Sequence, residues 1–183
     1  NGIPVRNGSF NEEEILMTKN SQLLTSKPML FICNVDEDSV LNGNQYSKSV
    51  EETANSLGSL TINISVSIEQ ELSELTDPEE LQSFLNEMGM NSTGLDKVIN
   101  QGYKLLDLCT YFTVGPKETR AWTINRNTFA PDAAGKIHTD FKRGFIRAET
   151  VSYIDFLECG SWVKTKEFGK LRSEGKEYIV KDG

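Results

Sequence analysis

Residues 27–37 read Lys-Pro-Met-Leu-Phe-Ile-Cys-Asn-Val-Asp-Glu, an apolar run that ends in polar and acidic residues. The run from Met29 to Cys33 predicts a strand that is covered on both faces, as the strands of parallel α/β sheets are. Such sheets bind their ligands just beyond the carboxyl ends of the strands. The stretch therefore predicts an α/β domain with a ligand site at residues 34–37.

The spacing of Asn34 and Glu37 adds a chemical prediction to this position. P-loop nucleotidases recognise a purine base with an Asn that is followed three residues later by a carboxylate, usually Asp. Guanine presents N1–H and its exocyclic amine as paired donors, which a carboxylate at the right depth accepts with both oxygens. Adenine has an acceptor at N1 and no amine at C2. The longer Glu37 is therefore expected to weaken guanine selectivity and is compatible with adenine.

A second strand is predicted at residues 60–66, before a helical run at residues 70–75. Small hydroxyl residues at the end of such a strand let backbone N–H groups approach a ligand closely. This arrangement resembles the second base-contacting loop of the same nucleotidases. The base-binding residues predicted from both loops are Asn34, Val35, Glu37, Ser65, Val66 and Ser67.

Longer motifs carry a family resemblance. They are Leu24–Pro28 followed by Asn34–Glu37, then Ser65–Leu75, Ala121–Ile124, Ala130–Phe141, Gly144–Glu149 and Gly175–Gly183. With them the chain resembles the YchF branch of the Obg-like ATPases over essentially its whole length. The resemblance implies an ATP-preferring P-loop nucleotidase domain with an inserted helical hairpin, followed by an α+β domain of the β-grasp TGS type.

A phosphate-binding loop of the form G-x-x-x-x-G-K-[ST] is not found in the sequence. The nearest stretch, Gly169–Glu177, has one residue too many between its glycines, and Glu177 stands where a hydroxyl is needed, so a turn before the last strand is predicted there. We therefore interpret the chain as the C-terminal part of a longer ATPase. The resemblance implies ATP or GTP and Mg²⁺ as cofactors of that parent. Its catalytic and metal-binding residues are expected outside this chain, and the fragment alone is expected to be inactive.

Charge is distributed unevenly along the chain. Residues 1–104 carry 6 Lys and Arg against 16 Asp and Glu, whereas residues 105–183 carry 13 against 11. We expect a domain boundary near Leu105, with residues 1–104 belonging to the nucleotide-binding domain and residues 105–183 forming a TGS domain that lacks its final strand. By the resemblance, residues 1–24 are the return arm of the helical insertion, whose helix Asn11 and Glu14 would start with a capping box.

Periodicity and turn residues predict the other elements. Asp77, Pro78 and Glu80 mark the start of a helix that Gly89 would end. Apolar residues from Leu95 to Cys109 follow helical spacing. The remaining predictions are a strand at 29–34, a helix at 47–57, a hairpin of 111–114 and 119–124 around a Gly115-Pro116 turn, a helix at 131–137, strands at 145–151 and 178–180, and helical segments at 153–159 and 163–171.

A basic cluster lies in the second half, with Phe141 and Phe145 interleaved. Long cationic side chains beside aromatic rings suit RNA phosphates and unstacked bases, although an ordinary surface of mixed charge would look the same. The association of TGS domains with ribosomes favours an RNA or ribosome contact. The cluster consists of Lys136, Lys142, Arg143 and Arg147.

Other features narrow the class of protein. No stretch has the length of a transmembrane helix and no signal peptide is visible. Three distant cysteines and a single histidine predict free thiols in a reducing cytoplasm and no zinc site. Neither a membrane nor DNA is expected as a partner. His138 and Trp122 are expected to be structural, and Asp36 and Asp38 to be solvated.

Three functions remain open from the sequence. The first is a YchF-type ATPase that recognises adenine through Asn34 and Glu37. The second is an RNA- or ribosome-docking module with a vestigial nucleotide pocket. The third is a GTP-binding GTPase despite Glu37.

Overall fold

The computed structural model describes residues 2–115 and 117–183, which divide into two compact units, one ending at Leu106 and the other beginning at Asp107. The predicted Gly115-Pro116 turn includes Pro116, which lies outside the described residues. In the part of the chain that is described, no helix is both long and apolar enough to span a membrane.

The first unit is built on a parallel pair of strands, β1 (Leu30–Asn34) and β2 (Leu60–Ile64). Their register pairs Leu30 with Leu60 and Asn34 with Ile64, so both strands end at the same edge of the sheet. The helices of this unit are α1 (Glu12–Asn20), α2 (Gln45–Ser56), α3 (Val66–Glu74), α4 (Pro78–Glu87) and α5 (Gly94–Leu105).

Helices α2 and α5 both pack against the two strands. A buried core joins the loop after β1 to helices α3 and α4, through Val35, Val40, Ile68, Leu72, Leu85 and Met90. The prediction that β1 is covered on both faces was wrong, because Ile32 is 47% exposed. Among the described residues β1 pairs only with β2.

Helix starts follow the predicted caps closely. The capping box of α1 is confirmed: Asn11 Oδ1 accepts from the Glu14 N–H at 3.0 Å, and Glu14 Oε2 accepts from the Asn11 N–H at 2.9 Å. Helix α4 begins at Pro78 behind Asp77, but Asp77 Oδ1 accepts from the Glu79 N–H, and the box expected with Glu80 does not form.

The second unit opens with an antiparallel hairpin of β3 (Leu108–Val114) and β4 (Thr119–Asn125). Helix α6 (Ala130–Ile137) packs on it: the Tyr111 hydroxyl donates to the Ala133 carbonyl at 2.8 Å, and Cys109, Ile124 and Ala133 form a buried core. The later elements are α7 (Thr139–Arg143), β5 (Ala148–Thr150), α8 (Tyr153–Cys159), α9 (Trp162–Glu167) and β6 (Arg172–Glu174), which pairs with β5.

Three predictions in this region were wrong in detail. Cys109 belongs to β3 and not to the helical stripe, because α5 ends at Leu105 and Asp107 adopts the left-handed conformation with φ of 52°. The region 178–180 forms an isolated bridge, Ile179 with Phe129, and not a strand. Strand β6 was not predicted; it lies within Gly169–Glu177, where a turn was expected.

Candidate functional site

The two loops predicted to contact a base come together at the carboxyl end of the parallel strands. The Val35 N–H donates to the Ile64 carbonyl at 2.9 Å, which extends the strand pairing by one residue. Immediately beyond it, Asn34 Oδ1 accepts from the Val66 N–H at 3.1 Å. This bond occupies the oxygen of the Asn34 amide and leaves its nitrogen free to donate to a ligand.

Glu37 is tied to the second loop by its carboxylate. Glu37 begins a short 3-10 turn, and its Oε1 accepts from the Ser67 hydroxyl at 2.9 Å. The Ser67 oxygen also lies 2.9 Å from that of Ser65, the residue just before α3. Two side chains from loops 30 residues apart are therefore joined directly.

Exposure divides the predicted base-binding residues into two groups. Asn34, Glu37, Val66 and Ser67 are exposed and form the accessible surface of the site. Val35 and Ser65 are 8% and 1% exposed, and the Val35 side chain packs in the core. Both residues are therefore almost inaccessible to a bound base in this conformation.

An acidic residue that the sequence analysis missed anchors the second loop. The Glu69 carboxylate, on α3, accepts from the N–H groups of Gly94 at 2.6 Å and Leu95 at 2.9 Å. These are the first two residues of α5, whose unpaired amides and positive helix end favour a carboxylate. A Cβ on Gly94 would lie 2.7 Å from Glu69 Oε1 and 2.9 Å from Ile64 Cγ2, so the contact requires glycine.

Three of the four basic residues line one open depression in the second unit, with a volume of about 610 Å³. Lys136, Lys142 and Arg143 share it with Asp132, to which Lys142 is ion-paired. Arg147 is exposed and is not among the residues lining this depression. Of the interleaved aromatic residues, Phe141 is 55% exposed and Phe145 is half-buried.

Two side chains expected to be structural have structural contacts. His138 Nδ1 accepts from the Asp140 N–H at 3.2 Å, which caps α7. The Trp122 indole N–H donates to the Thr113 hydroxyl at 3.0 Å, and the Arg120 guanidinium lies 4.4 Å above its ring.

Comparison with known proteins finds relatives that match nearly the whole chain. Residues 108–183 match the family model YchF-GTPase_C, whose description is "Protein of unknown function (DUF933)". The chain is 48% identical over 182 residues to the ribosome-binding ATPase YchF of Bacillus subtilis (strain 168), covering 98% of this chain and 50% of that protein. The chain is thus similar, over nearly its whole length, to proteins of the YchF branch of the Obg-like ATPases. The resemblance found in the sequence is thereby confirmed.

Other relatives agree with this assignment. The ribosome-binding ATPase YchF of Escherichia coli O157:H7 is 49% identical over 174 residues, covering 95% of this chain and 47% of that protein. Obg-like ATPase 1 of Pongo abelii is 44% identical over 177 residues, covering 95% of this chain and 44% of that protein. The chain thus spans about half the length of the curated relatives it matches.

A solved structure shares the fold. The Schizosaccharomyces pombe YchF GTPase aligns with a TM-score of 0.83 and 33% identity, covering 98% of this chain and 48% of that protein. The YchF fold therefore extends over both units of this chain, each taken by itself.

Proposed function

We propose that this chain is the purine-recognising part of a YchF-type ATPase, joined to a TGS domain that contacts the ribosome. The proposal rests on two hydrogen bonds between the end of β1 and the start of α3. Asn34 is bonded to Val66, and Glu37 is bonded to Ser67. Residues from two loops thereby form one exposed site at the strand ends, where α/β sheets bind ligands. In this proposal the unit ending at Leu106 belongs to the nucleotide-binding domain, with residues 1–24 as the return arm of its helical insertion.

The roles of the two central residues follow from their free atoms. The Asn34 amide nitrogen donates to N7, an acceptor that adenine and guanine share. Glu37 decides between the bases, because its carboxylate reaches the edge where guanine carries donors and adenine does not. With one oxygen bound to Ser67, Glu37 is poorly placed to accept both guanine donors. This supports a preference for ATP over GTP.

In the proposal, the phosphates and Mg²⁺ are not bound by this chain. Among residues 2–115 and 117–183, no three His, Cys, Asp or Glu side chains form a group that could bind a metal ion. The stretch nearest to a phosphate-binding loop contains β6, whereas that loop must lead from a strand into a helix. In the proposal the rest of the YchF-type protein binds the triphosphate and Mg²⁺, and this chain alone hydrolyses neither ATP nor GTP.

Observations in the second unit support the proposed contact with the ribosome. The hairpin of β3 and β4, on which α6 packs through the Tyr111–Ala133 hydrogen bond, supports the proposal of a β-grasp domain of the TGS type. The depression lined by Lys136, Lys142 and Arg143 supplies cations for RNA phosphates. The Bacillus subtilis and Escherichia coli relatives are named as ribosome-binding, and in the proposal this chain acts in the cytoplasm on the same partner.

Nucleotide titration of the full-length protein tests the proposal against its alternatives. Tighter binding of ATP than of GTP supports it. Tighter binding of GTP would favour the GTPase alternative, which the name of the Schizosaccharomyces pombe YchF GTPase also represents. Binding of neither nucleotide, together with ribosome co-sedimentation, would favour a docking module with a vestigial pocket. Turnover by the isolated chain would contradict its assignment as the base-recognising part only.

A further inference from the structure

The hydrogen bonds around Glu37 form a relay that begins inside the protein. The Ser65 and Ser67 hydroxyl oxygens lie 2.9 Å apart, and Ser67 Oγ lies 2.9 Å from Glu37 Oε1. An ionised carboxylate only accepts, so the single hydroxyl proton of Ser67 is used on Glu37. Ser65 must therefore donate to Ser67. The direction of the relay is fixed from Ser65 through Ser67 to Glu37.

Burial makes this relay difficult to break. Ser65 is 1% exposed, and within the described ranges its hydroxyl has Ser67 as its hydrogen-bond partner. If Ser67 turned away, a buried hydroxyl would lose its bond, which costs more than breaking an exposed one. Glu37 itself is exposed and would otherwise rotate freely about its side-chain bonds. The relay therefore fixes one carboxylate oxygen before a ligand arrives.

We propose that Ser67 is a specificity-determining residue, which favours adenine by holding Glu37 Oε1 toward the start of α3. This inference rests on the purine site proposed above. Guanine needs both carboxylate oxygens aligned with its N1–H and exocyclic amine, and in this proposal the Ser67 bond holds the carboxylate in a different orientation. Adenine presents a lone pair at N1, so a carboxylate turned aside avoids a repulsive contact with it.

Substitutions at three serines separate this role from a structural one. Ser67→Ala removes the hydrogen bond to Glu37, whereas Ser65→Ala removes only the buried hydroxyl at the start of the relay. Ser67→Thr keeps a hydroxyl at position 67. Ser73→Ala is the matched control, because the Ser73 hydroxyl is on the same helix and donates only to the exposed Gln70 carbonyl, at 2.7 Å. Each variant is made in the full-length protein, and the dissociation constants of ATP and GTP are measured with fluorescent analogues in competition.

The expected result is a change in the ratio of the two constants. Loss of a hydrogen bond to a charged group should move the ratio toward GTP by about fivefold to tenfold in Ser67→Ala. Ser65→Ala should give a smaller shift in the same direction, and Ser67→Thr and Ser73→Ala should keep the original ratio.

Two results would overturn the inference, and they are distinguishable. If Ser67→Ala binds ATP and GTP with an unchanged ratio, or loses both affinities equally, Ser67 does not set specificity and the proposed function still stands. If the unsubstituted full-length protein binds neither nucleotide, the inference and the proposed function both fail.

Discussion

Asn34 and Val66 lie on separate loops, and the side-chain oxygen of Asn34 accepts a 3.1 Å hydrogen bond from the Val66 N–H. The bond gives Asn34 two tasks on two different atoms. Its oxygen holds the start of α3 against the end of β1, and in the proposed function its nitrogen donates to the purine base. The two tasks can be separated by substitution.

Replacement of Asn34 by Asp should separate them, because Asp keeps an acceptor for Val66 and lacks the amide donor. We expect Asn34→Asp to weaken ATP and GTP binding alike, each by about tenfold, and to leave the thermal midpoint nearly unchanged. Asn34→Ala should lose affinity and also thermal stability. Titration and thermal unfolding of both variants measure this, and an Asn34→Asp protein with full affinity would refute the donor role.

Shortening Glu37 tests the base preference directly. Glu37→Asp in the full-length protein should move selectivity toward GTP, because the shorter carboxylate no longer reaches Ser67 and restores the usual motif. Competition titration gives the ATP-to-GTP ratio of dissociation constants. Glu37→Gln is the matched control, since it keeps the length of the side chain and removes its charge. An unchanged ratio in Glu37→Asp would count against Glu37 as the residue that selects the base.

The contact between Glu69 and the start of α5 should contribute to the stability of the first unit. Glu69→Ala leaves two helix-end amides without their carboxylate, which should cost about 1–3 kcal/mol in the free energy of unfolding. Urea unfolding followed by circular dichroism measures the loss, and hydrogen exchange should show lower protection at the Gly94 and Leu95 amides. Glu71→Ala, an exposed position on the same helix, is the control. Equal protection in both variants would contradict the anchoring role.

The sequence predicts those parts of the site that depend on strand periodicity. The apolar run that ends at Asn34 and the alternation over residues 60–66 predict two strands, and a parallel pairing then brings both ends to one edge. Helix starts are also predictable, because a cap such as Asn11 with Glu14 acts within four residues.

Contacts between residues distant in sequence leave no comparable local signal. Glu69 and Gly94 are 25 residues apart, and nothing near either one indicates the other. Strand β6 is only three residues long and is polar, so no alternation marks it. Cys109 was misplaced because an apolar residue fits the stripe of α5 and the core of β3 equally well, and only the left-handed turn at Asp107 decides between them.

Substitutions in the basic depression should weaken ribosome association in one case and strengthen it in another. Replacing Lys136, Lys142 and Arg143 by Ala should weaken ribosome association and reduce the slope of affinity against salt by about 0.7 for each lost phosphate contact. Asp132→Asn should have the opposite effect, because it frees Lys142 from its ion pair. Sedimentation with ribosomes at several salt concentrations measures both.

A separate Arg147→Ala variant tests whether that residue, which does not line the depression, takes part. If none of these variants changes ribosome sedimentation, the cluster is an ordinary charged surface. If only Arg147→Ala has an effect, the contact lies elsewhere on the second unit.

The ion pair of Asp155 and Lys170 should make the stability of the second unit depend on pH. Lys170 Nζ lies 2.8 Å from Asp155 Oδ1, and the Ser152 hydroxyl donates to Asp155 Oδ2 at 2.6 Å. Both bonds lower the pKa of the Asp155 carboxyl below its ordinary value, and the bond from Lys170 has the larger effect. The unfolded chain then binds the proton more tightly than the folded unit, so acid favours unfolding. The stabilisation is complete above the ordinary Asp pKa and is lost as pH falls through the lowered value.

Both tryptophans of the chain, Trp122 and Trp162, lie in this unit, so their fluorescence reports its unfolding alone. We expect Asp155→Asn to be less stable than the unsubstituted protein near neutral pH, and the difference to shrink toward about pH 2, well below the ordinary carboxyl pKa. Glu149→Gln, at an exposed position on β5, is the control and should show no such convergence. A difference that stays constant from neutral to acid would mean that Asp155 stabilises the unit through its shape and hydrogen-bonding groups, and not through its charge.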